Sequence, residues 1–279
     1  MKCVIVIPVY KPVPEWNETI SFNRCLHIFK KHSISIITYK NLDISYYASL
    51  LNSSGINYNI EFFDNDYFRS EVTYSQLLLS KAFYQRFIDY KYMLIYQLDA
   101  YVFRDELQYW CNQGYDYIGA PWFEDCSSHE EGAKLWKVGN GGFSLRKTSR
   151  FIQILSYKGP VFKPGFIRSK ISFRKSTNIL TSLTLLVAQT LGYKNSIRFI
   201  IENNKDSEDF FWALTFQNSW LNFKIPSTDI ACKFAFEISP SYLFELNNRA
   251  LPFGCHAWQK FEYKDFWINH IHAIDQNLD

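Results

Sequence analysis

The chain lacks several features that would place it in a familiar class of protein. None of its six cysteines forms a C-x-x-C pair or groups with histidines at zinc-site spacing, so we expect reduced thiols. No apolar stretch reaches the roughly 20 residues that span a bilayer, and the run before Pro8 is too short for a signal peptide. We therefore expect a cytoplasmic protein, soluble or peripheral at the inner face of the plasma membrane.

Strong charge of one sign is also missing, because the net charge is only +3 over 279 residues. This balance argues against a nucleic-acid partner. The exception is the segment from Lys158 to Lys175, which holds six basic residues and no acid. It is either a solvated loop or a surface that attracts phosphates. Those phosphates would belong to a lipid-diphosphate acceptor or to anionic lipid headgroups. The functional interpretation predicts peripheral membrane contact through this segment.

Aromatic side chains, in contrast, are abundant, at 19% of the residues. Apolar residues make up 47% and charged residues 20%, which is typical of a globular domain. The aromatic surplus can fill a bulky core, and it can also supply platforms on which sugar and base rings stack. The two uses are compatible in a chain of this size.

Apolar runs of strand length alternate with segments of helical pattern along the first hundred residues. The predicted strands are residues 4–7, 34–37, 58–62 and 92–98, and the predicted helices are residues 15–31, 44–51 and 70–90. Such alternation predicts βαβ units, and hence a mostly parallel, Rossmann-like α/β sheet flanked by helices. Ligands of such sheets bind beyond the carboxyl ends of the strands. We place the loops 9–12 and 99–103 at that edge.

The later chain shows no clear domain boundary. We predict a single domain over residues 1–265, followed by a tail over residues 266–279. Residues 157–198 contain a Pro, Gly and basic connection followed by a helical segment, and they form a candidate mobile insertion.

Asp99 is the leading candidate for a functional residue, because it directly follows the fourth predicted strand. A carboxylate there can hold a divalent cation, which neutralises a nucleoside diphosphate and stabilises it as a leaving group. The alternative is a loop aspartate that caps the helix starting near Arg104.

Three further motifs contain candidate site residues. Three glycines surround Asn140 in the segment VGNGGFSLR, where the backbone can approach a sugar closely or simply make a tight turn. The acids Glu208 and Asp209 open a predicted helix, either as partners of its dipole or as a general base for sugar transfer. His256, between glycine and tryptophan residues, can complete a metal site, contact phosphate or be structural.

These segments occur in the order YQLDAYVF, GYDYIGAPW, VGNGGFSLR, SEDFFW, AFE and LPFGCHAW. The ordered set resembles a bacterial family of uncharacterised proteins, DUF5672, which looks like a branch of the GT-A glycosyltransferases. The resemblance covers the chain from Val4 to about Lys260. It implies a GT-A fold and transfer of a sugar from a nucleotide sugar, with a UDP-sugar favoured.

The resemblance also implies roles for individual residues. The D-x-D motif that binds metal and diphosphate in GT-A enzymes aligns with Asp99-Ala100-Tyr101, where Tyr101 replaces the second carboxylate. The cation, Mn²⁺ or Mg²⁺, would then be held by Asp99 and His256; alternatively the enzyme is metal-independent, with basic side chains neutralising the diphosphate. The candidates for that neutralising role are Lys11, Lys81 and Arg146.

The remaining assignments concern the donor, the acceptor and the base. Donor binding is assigned to Pro8, Val9, Tyr10, Lys11, Lys81, Gln97, Asp99, Ala100 and Tyr101. Acceptor or sugar binding is assigned to Trp122, Gly139, Asn140, Gly141, Gly142 and Trp258. The catalytic base is assigned first to Asp209 and second to Glu208, which favours inversion at the anomeric carbon.

The predicted acceptor is a hydroxyl of a saccharide or lipid-linked saccharide, as in the synthesis of a bacterial capsule or O-antigen. Two rival hypotheses remain. A nucleotidyltransferase shares the early βαβ pattern, but it generally needs a Gly-rich loop where this chain has PVYKP. A non-catalytic protein that binds carbohydrate or nucleotide sugars would explain the missing second carboxylate.

Overall fold

The computed structural model describes residues 2–124, 133–164, 166 and 179–275. Most of the segment from Lys158 to Lys175 lies outside the described residues, as do residues 276–279 of the predicted tail.

The described chain forms a mixed α/β domain. Its strands are β1 (Cys3–Pro8), β2 (Ser33–Thr38), β3 (Tyr58–Phe62), β4 (Tyr92–Tyr96), β5 (Tyr101–Val102), β6 (Tyr117–Ile118), β7 (Ala120–Phe123), β8 (Leu135–Gly139), β9 (Phe143–Lys147), β10 (Ala235–Phe236) and β11 (Gly254–Cys255). Its α-helices are α1 (Trp16–Ile28), α2 (Ser45–Ser53), α3 (Glu71–Leu78), α4 (Lys81–Gln85), α5 (Leu107–Asn112), α6 (Thr148–Leu155), α7 (Ile179–Thr190), α8 (Ile197–Glu202), α9 (Glu208–Thr215), α10 (Thr228–Phe234), α11 (Pro240–Leu246) and α12 (Ile268–Asp275).

A six-stranded sheet in the order β3-β2-β1-β4-β9-β6 forms the centre of the domain. Strands β1 to β4 run parallel, whereas β9 is antiparallel to both β4 and β6. Strand β1 is buried along its whole length, as expected for a strand covered by helices on both faces. The prediction of a mostly parallel α/β sheet is confirmed.

The single long helix predicted over residues 70–90 is wrong, because the chain forms two short helices there. Helix α3 ends at Leu78, and Ser80 has extended backbone angles that interrupt the helical path. The Ser80 hydroxyl then accepts a hydrogen bond from the Phe83 amide and caps α4. A serine within a helical pattern thus begins a second helix.

Two smaller sheets are attached to the central one. Strands β10, β11 and β5 form the first, with β11 parallel to β10 and antiparallel to β5. Strands β7 and β8 form an antiparallel pair. The residues that follow β10 and β11 and the residue Asp99 before β5 line the same cleft, so the three-stranded sheet helps to form it.

The C-terminal segment is part of the packed domain as far as the structure describes it. Trp267 and Ile271 are fully buried and belong to the same apolar cluster as Tyr101 and Trp258. The candidate insertion over residues 157–198 is packed against the domain near both of its ends. Val161 and Ile197 are buried in one apolar cluster with residues of strands β1 and β4. Among the described helices, none is long and apolar enough to cross a membrane.

Candidate functional site

A cleft of about 770 Å³ opens at the carboxyl edge of the parallel strands. Strands β1 and β4 are parallel neighbours, so the residues that follow them, Tyr10-Lys11 and Gln97-Leu98-Asp99, lie side by side. Strand β9 runs the other way, with Phe143 opposite Tyr96. The glycine loop that precedes β9 is therefore brought to the same edge, and the Gln97 amide donates to the Gly142 carbonyl at 2.8 Å.

The three-stranded sheet brings three polar residues to one wall of this cleft. Phe236 of β10 is paired with Cys255 of β11, so the next residues, Glu237 and His256, are adjacent. Cys255 is also opposite Tyr101 at the start of β5, and Asp99 lies just before that strand. Three short strands thus collect side chains that are far apart in sequence.

His256 lies between two carboxylates on this wall. Its Nδ1 is 2.8 Å from Glu237 Oε1, and its Nε2 is 3.1 Å from Asp99 Oδ1. Nε2 also lies 3.3 Å from Gln97 Oε1, and Lys260 Nζ is 3.8 Å from Asp99 Oδ2. We call Asp99, His256 and Glu237 the carboxylate–histidine triad. Glu237 fixes the ring so that Nε2 faces Asp99.

The triad shifts the ionisation of its members. Burial alone would lower the pKa of His256, but the charge of Asp99 and hydrogen bonds to Asp99 and Glu237 raise it to about 10. Burial alone would raise the pKa of Asp99, but the His256 imidazolium and the Lys260 ammonium lower it to about 2. At neutral pH, with protons as the only cations present, the triad contains a charged histidine.

The glycine loop is shaped by the side chains that it faces. Asn140 has a left-handed φ of 86°, and its Oδ1 accepts hydrogen bonds from the amides of Gly142 and Phe143. A Cβ on Gly142 would lie 2.0 Å from His256 Nε2, so any larger residue there would displace the ring. A Cβ on Gly141 would lie 2.9 Å from a carboxylate oxygen of Glu208.

A buried ion pair supports the floor of the cleft. Arg146 on β9 donates to both carboxylate oxygens of Glu208, at 2.6 and 3.1 Å, and both side chains are buried. The guanidinium also bonds Tyr84 and Ser144. Burial would lower the pKa of Arg146, but Glu208 raises it well above its usual range. The pair ties α9 to the central sheet.

Asp209 is the more accessible of the two adjacent acids. It lines the cleft in the first turn of α9, and its Oδ1 accepts hydrogen bonds from the Ser207 hydroxyl and the Phe210 amide. These bonds fix the rotamer of the carboxylate, and Oδ2 lies on the side of Gly141. Since Glu208 is bound to Arg146, Asp209 is the better placed of the two to accept a proton from a substrate.

The structure brings ten of the residues selected from the sequence to the cleft. These are Pro8, Tyr10, Lys11, Gln97, Asp99, Gly141, Gly142, Glu208, Asp209 and His256. Lys11 is held by Glu15 and Glu18, each 2.9 Å from its ammonium.

The other site residues predicted from the sequence are described by the structure but do not line the cleft. Val9, Ala100, Tyr101, Trp258 and Asn140 are buried, and Lys81 is exposed on α4. Trp122 stacks on Phe210 at 4.3 Å and also covers Gly139.

Two of these residues, both expected to contact ligands, instead pack against protein. The ring of Tyr101 lies 5.6 Å from the Arg24 guanidinium, inside the core. Trp258 donates to the hydroxyl of Ser21 at 3.0 Å. The tyrosine in the third D-x-D position therefore serves packing, and Arg146, considered as a phosphate ligand, is occupied by Glu208.

Two residues that line the site, Glu237 and Lys260, have no role among the predictions made from the sequence. Glu237 follows a short apolar run, the same signal that drew attention to Asp99, but β10 is too short to stand out as a strand. Lys260 follows no recognisable pattern, since an isolated lysine is usually a solvated side chain. Only the pairing of β10 and β11 shows that Glu237 lies next to His256.

Two members of the triad present atoms that can act as metal ligands. Asp99 Oδ1 and His256 Nε2 are close enough to bind one ion together, and the Glu237–Nδ1 hydrogen bond is the usual support of a metal-binding histidine. Within the described residues, however, no group of three or more His, Cys, Asp or Glu side chains is arranged to hold an ion. The remaining ligands would come from substrate and water, as is common for Mg²⁺.

Comparison with known families matches residues 57–256 to the family described as "Protein of unknown function (DUF5672)". A comparison with curated protein sequences found no match.

Solved structures reveal the fold. The galactosyltransferase LgtC, in complex with donor and acceptor sugar analogs, matches with a TM-score of 0.53 at 11% identity, over 98% of this chain and 95% of that chain. An active-site mutant of LgtC matches with a TM-score of 0.52 at 14% identity, over the same shares. Both likenesses show that the fold is that of GT-A glycosyltransferases, as the sequence resemblance implied. GlyE of Streptococcus pneumoniae TIGR4 has a TM-score of 0.49 at 12% identity, over 98% and 62% of the chains.

Proposed function

The chain belongs to the DUF5672 family, and from this premise and the geometry of its cleft we propose that it is a glycosyltransferase. It moves a sugar from a nucleotide-sugar donor to the hydroxyl of an acceptor. The carboxylate–histidine triad at the carboxyl edge of a GT-A sheet is the observation that carries the proposal. A cleft of about 770 Å³ is within the range of small-ligand sites and can hold a nucleotide sugar.

The diphosphate of the donor is assigned to the triad. The wall there is rich in carboxylates, so a nucleoside diphosphate needs a cation between its oxygens and the protein. Asp99 and His256 would hold Mn²⁺ or Mg²⁺, and the ion would supply charge neutralisation of the leaving diphosphate. The hydrogen bond between Glu237 and Nδ1 fixes the orientation of the histidine ring, and Lys260 adds a further positive charge beside Asp99.

The nucleoside is assigned to the loop after β1. Tyr10 is half exposed at the rim of the cleft and offers a ring for the base to stack on. Lys11 is tied to Glu15 and Glu18, which hold the loop in place beside Gln97. A UDP-sugar is the favoured donor.

The base is assigned to Asp209. Its carboxylate faces the cleft beside Gly141, where the acceptor hydroxyl would approach the sugar. Proton removal by this carboxylate during attack on the anomeric carbon gives a product of inverted configuration. Glu208, bound to Arg146, positions the helix turn that carries Asp209. The proposed acceptor is a bacterial surface polysaccharide or glycolipid.

Turnover of nucleotide sugars tests the proposal. Purified protein is incubated with UDP- and GDP-sugars and Mn²⁺, and released nucleotide and free sugar are followed by NMR, which also reports the anomer formed first. We expect slow donor hydrolysis that falls by about 10²–10⁴-fold in Asp209→Asn. The matched control is Asp229→Asn, which changes the acid in the first turn of α10.

Turnover that is unaffected by Asp209→Asn would remove the base assignment. A first-formed anomer of retained configuration would do the same. Absence of turnover with every donor, together with intact nucleotide binding, would instead favour a non-catalytic binding protein.

A further inference from the structure

A second surface of the molecule combines exposed apolar side chains with basic ones. Helix α7 has no charged residue along its 12 residues, yet none of its side chains from Leu183 to Thr190, the part whose burial is described, is buried. Leu183, Val187 and Leu191 repeat at intervals of four and form one stripe, and they are 54%, 58% and 81% exposed. A soluble helix normally turns such a stripe towards the core, so this one is arranged for a partner.

Neighbouring segments extend the stripe with aromatic and basic residues. The Val161 amide donates to the Asn195 carbonyl at 2.8 Å, and the Trp220 amide donates to the Val161 carbonyl at 3.1 Å. The turn after α7 and the segment around Trp220 therefore flank residues 161–163. Lys163 lies 5.7 Å above the Trp220 ring, and Lys194 lies 5.4 Å from the Tyr193 ring.

We call this surface the basic–apolar patch. It consists of Leu183, Val187, Leu191, Tyr193, Trp220, Lys163 and Lys194. Tyr193 and Trp220 are each more than half exposed. The segments before and after α7 are attached to the domain, because Val161 and Ile197 are buried in the core.

The charge of the sequence that contains α7 favours an anionic partner. Thirteen lysines and arginines and no acid occur between Glu131 and Glu202, although the whole chain is nearly balanced at +3. Three of the thirteen have acidic partners outside this segment, because Arg146 is paired with Glu208 and both Lys147 and Arg150 lie within 4 Å of Asp116. The excess of basic residues remains large without them. An exposed apolar stripe with Trp, Tyr and Lys at its border fits the interface of a lipid bilayer, where apolar groups enter and basic groups meet phosphates. We propose that the basic–apolar patch docks the protein on an anionic membrane surface, with α7 lying in the plane of the interface.

The proposal is independent of the reaction in the cleft. Both the apolar and the basic component are required, since either alone gives marginal membrane affinity. Each basic residue near an anionic surface adds about 1 kcal/mol, or roughly fivefold in partitioning. Each apolar side chain moved from water into the interface adds on the order of tenfold.

Co-sedimentation with vesicles tests the patch. The full chain is mixed with vesicles of phosphatidylcholine alone, or of phosphatidylcholine with phosphatidylglycerol, and the bound fraction is measured at low and high salt. We expect binding only to the anionic vesicles, and weaker binding at high salt. The double variant Lys163→Gln/Lys194→Gln should bind roughly 25-fold more weakly.

The apolar component has its own variant and control. Val187→Ser/Leu191→Ser should reduce binding by about two orders of magnitude. Ile88→Ser/Leu246→Ser removes two exposed apolar side chains elsewhere and should bind as the unmodified chain does. Melting temperatures of all variants exclude unfolding as a cause. Binding equal on neutral and anionic vesicles, no binding to either, or undiminished binding by the patch variants would overturn the proposal.

Discussion

Gly142→Ala is the substitution that most directly probes how the glycine loop and the triad depend on each other. The added Cβ would lie 2.0 Å from His256 Nε2, 2.2 Å from Cδ2 and 2.7 Å from Cε1. Ordinary contact requires about 3.5 Å, so the ring must retreat by roughly 1.5 Å. The backbone of Gly142 has no positive φ, so an alanine is tolerated there apart from this collision.

The retreat of the ring has two measurable consequences. Overpacking should lower the free energy of unfolding by about 1–3 kcal/mol, measured by urea denaturation. Loss of the Asp99–His256 contact should weaken binding of UDP with Mn²⁺ by about 10–100-fold, measured by calorimetry.

A double-mutant cycle separates the collision from any other effect of the alanine. In the His256→Ala background the ring is absent, so Gly142→Ala should cost almost nothing in stability. The coupling energy between the two sites should then equal the cost seen in the unmodified chain. An equal loss of stability in both backgrounds would refute the reasoning, because the alanine would then be acting on the backbone alone.

Three further predictions follow from contacts in and beneath the cleft. Arg146→Met leaves Glu208 buried without its partner and should lower the free energy of unfolding by about 3–5 kcal/mol in urea titrations; Arg198→Met, which breaks an exposed pair with Glu202, is the control, and equal losses would contradict this expectation. Glu237→Gln should weaken Mn²⁺ binding by about 10–100-fold in a calorimetric titration, while leaving the melting temperature nearly unchanged. The raised pKa of His256 makes its stabilisation complete below about pH 6.5 and lost as the pH rises towards about 10; a metal-free thermal melt should show this decline, and a His256→Asn variant that declines equally would contradict it.

The framework of the fold could be predicted from sequence because it depends on local patterns. Buried parallel strands appear as continuous apolar runs, as β1 and β4 do, and four strands precede Asp99 in the chain. An acid directly after such a run lies at the ligand edge whatever the details of the loops. The place of Asp99 after β4 was therefore predictable. The glycines of the loop indicated that another group approaches the backbone closely, and in the structure those groups are the side chains of His256 and Glu208.

The rest depends on contacts between distant segments, which one sequence does not reveal. Strand β10 has two residues, so nothing in its pattern indicates that Glu237 meets His256 across 19 positions. Trp122 and Trp258 look like sugar platforms, yet their rings are covered by Phe210 and by the core. Arg146 looks like a phosphate ligand until its partner on α9 is known. An aromatic or basic side chain looks the same in sequence whether it binds a ligand or packs inside.

The central claim is that the carboxylate–histidine triad binds a nucleoside diphosphate together with a divalent cation. Calorimetric titration of UDP into the protein, with and without Mn²⁺, tests it most directly. We predict saturable binding that requires Mn²⁺, is lost in Asp99→Ala and is kept in Asp89→Ala, which changes an exposed aspartate before β4. Failure of both UDP and GDP to bind in the presence of Mn²⁺, or unchanged affinity in Asp99→Ala, would contradict it.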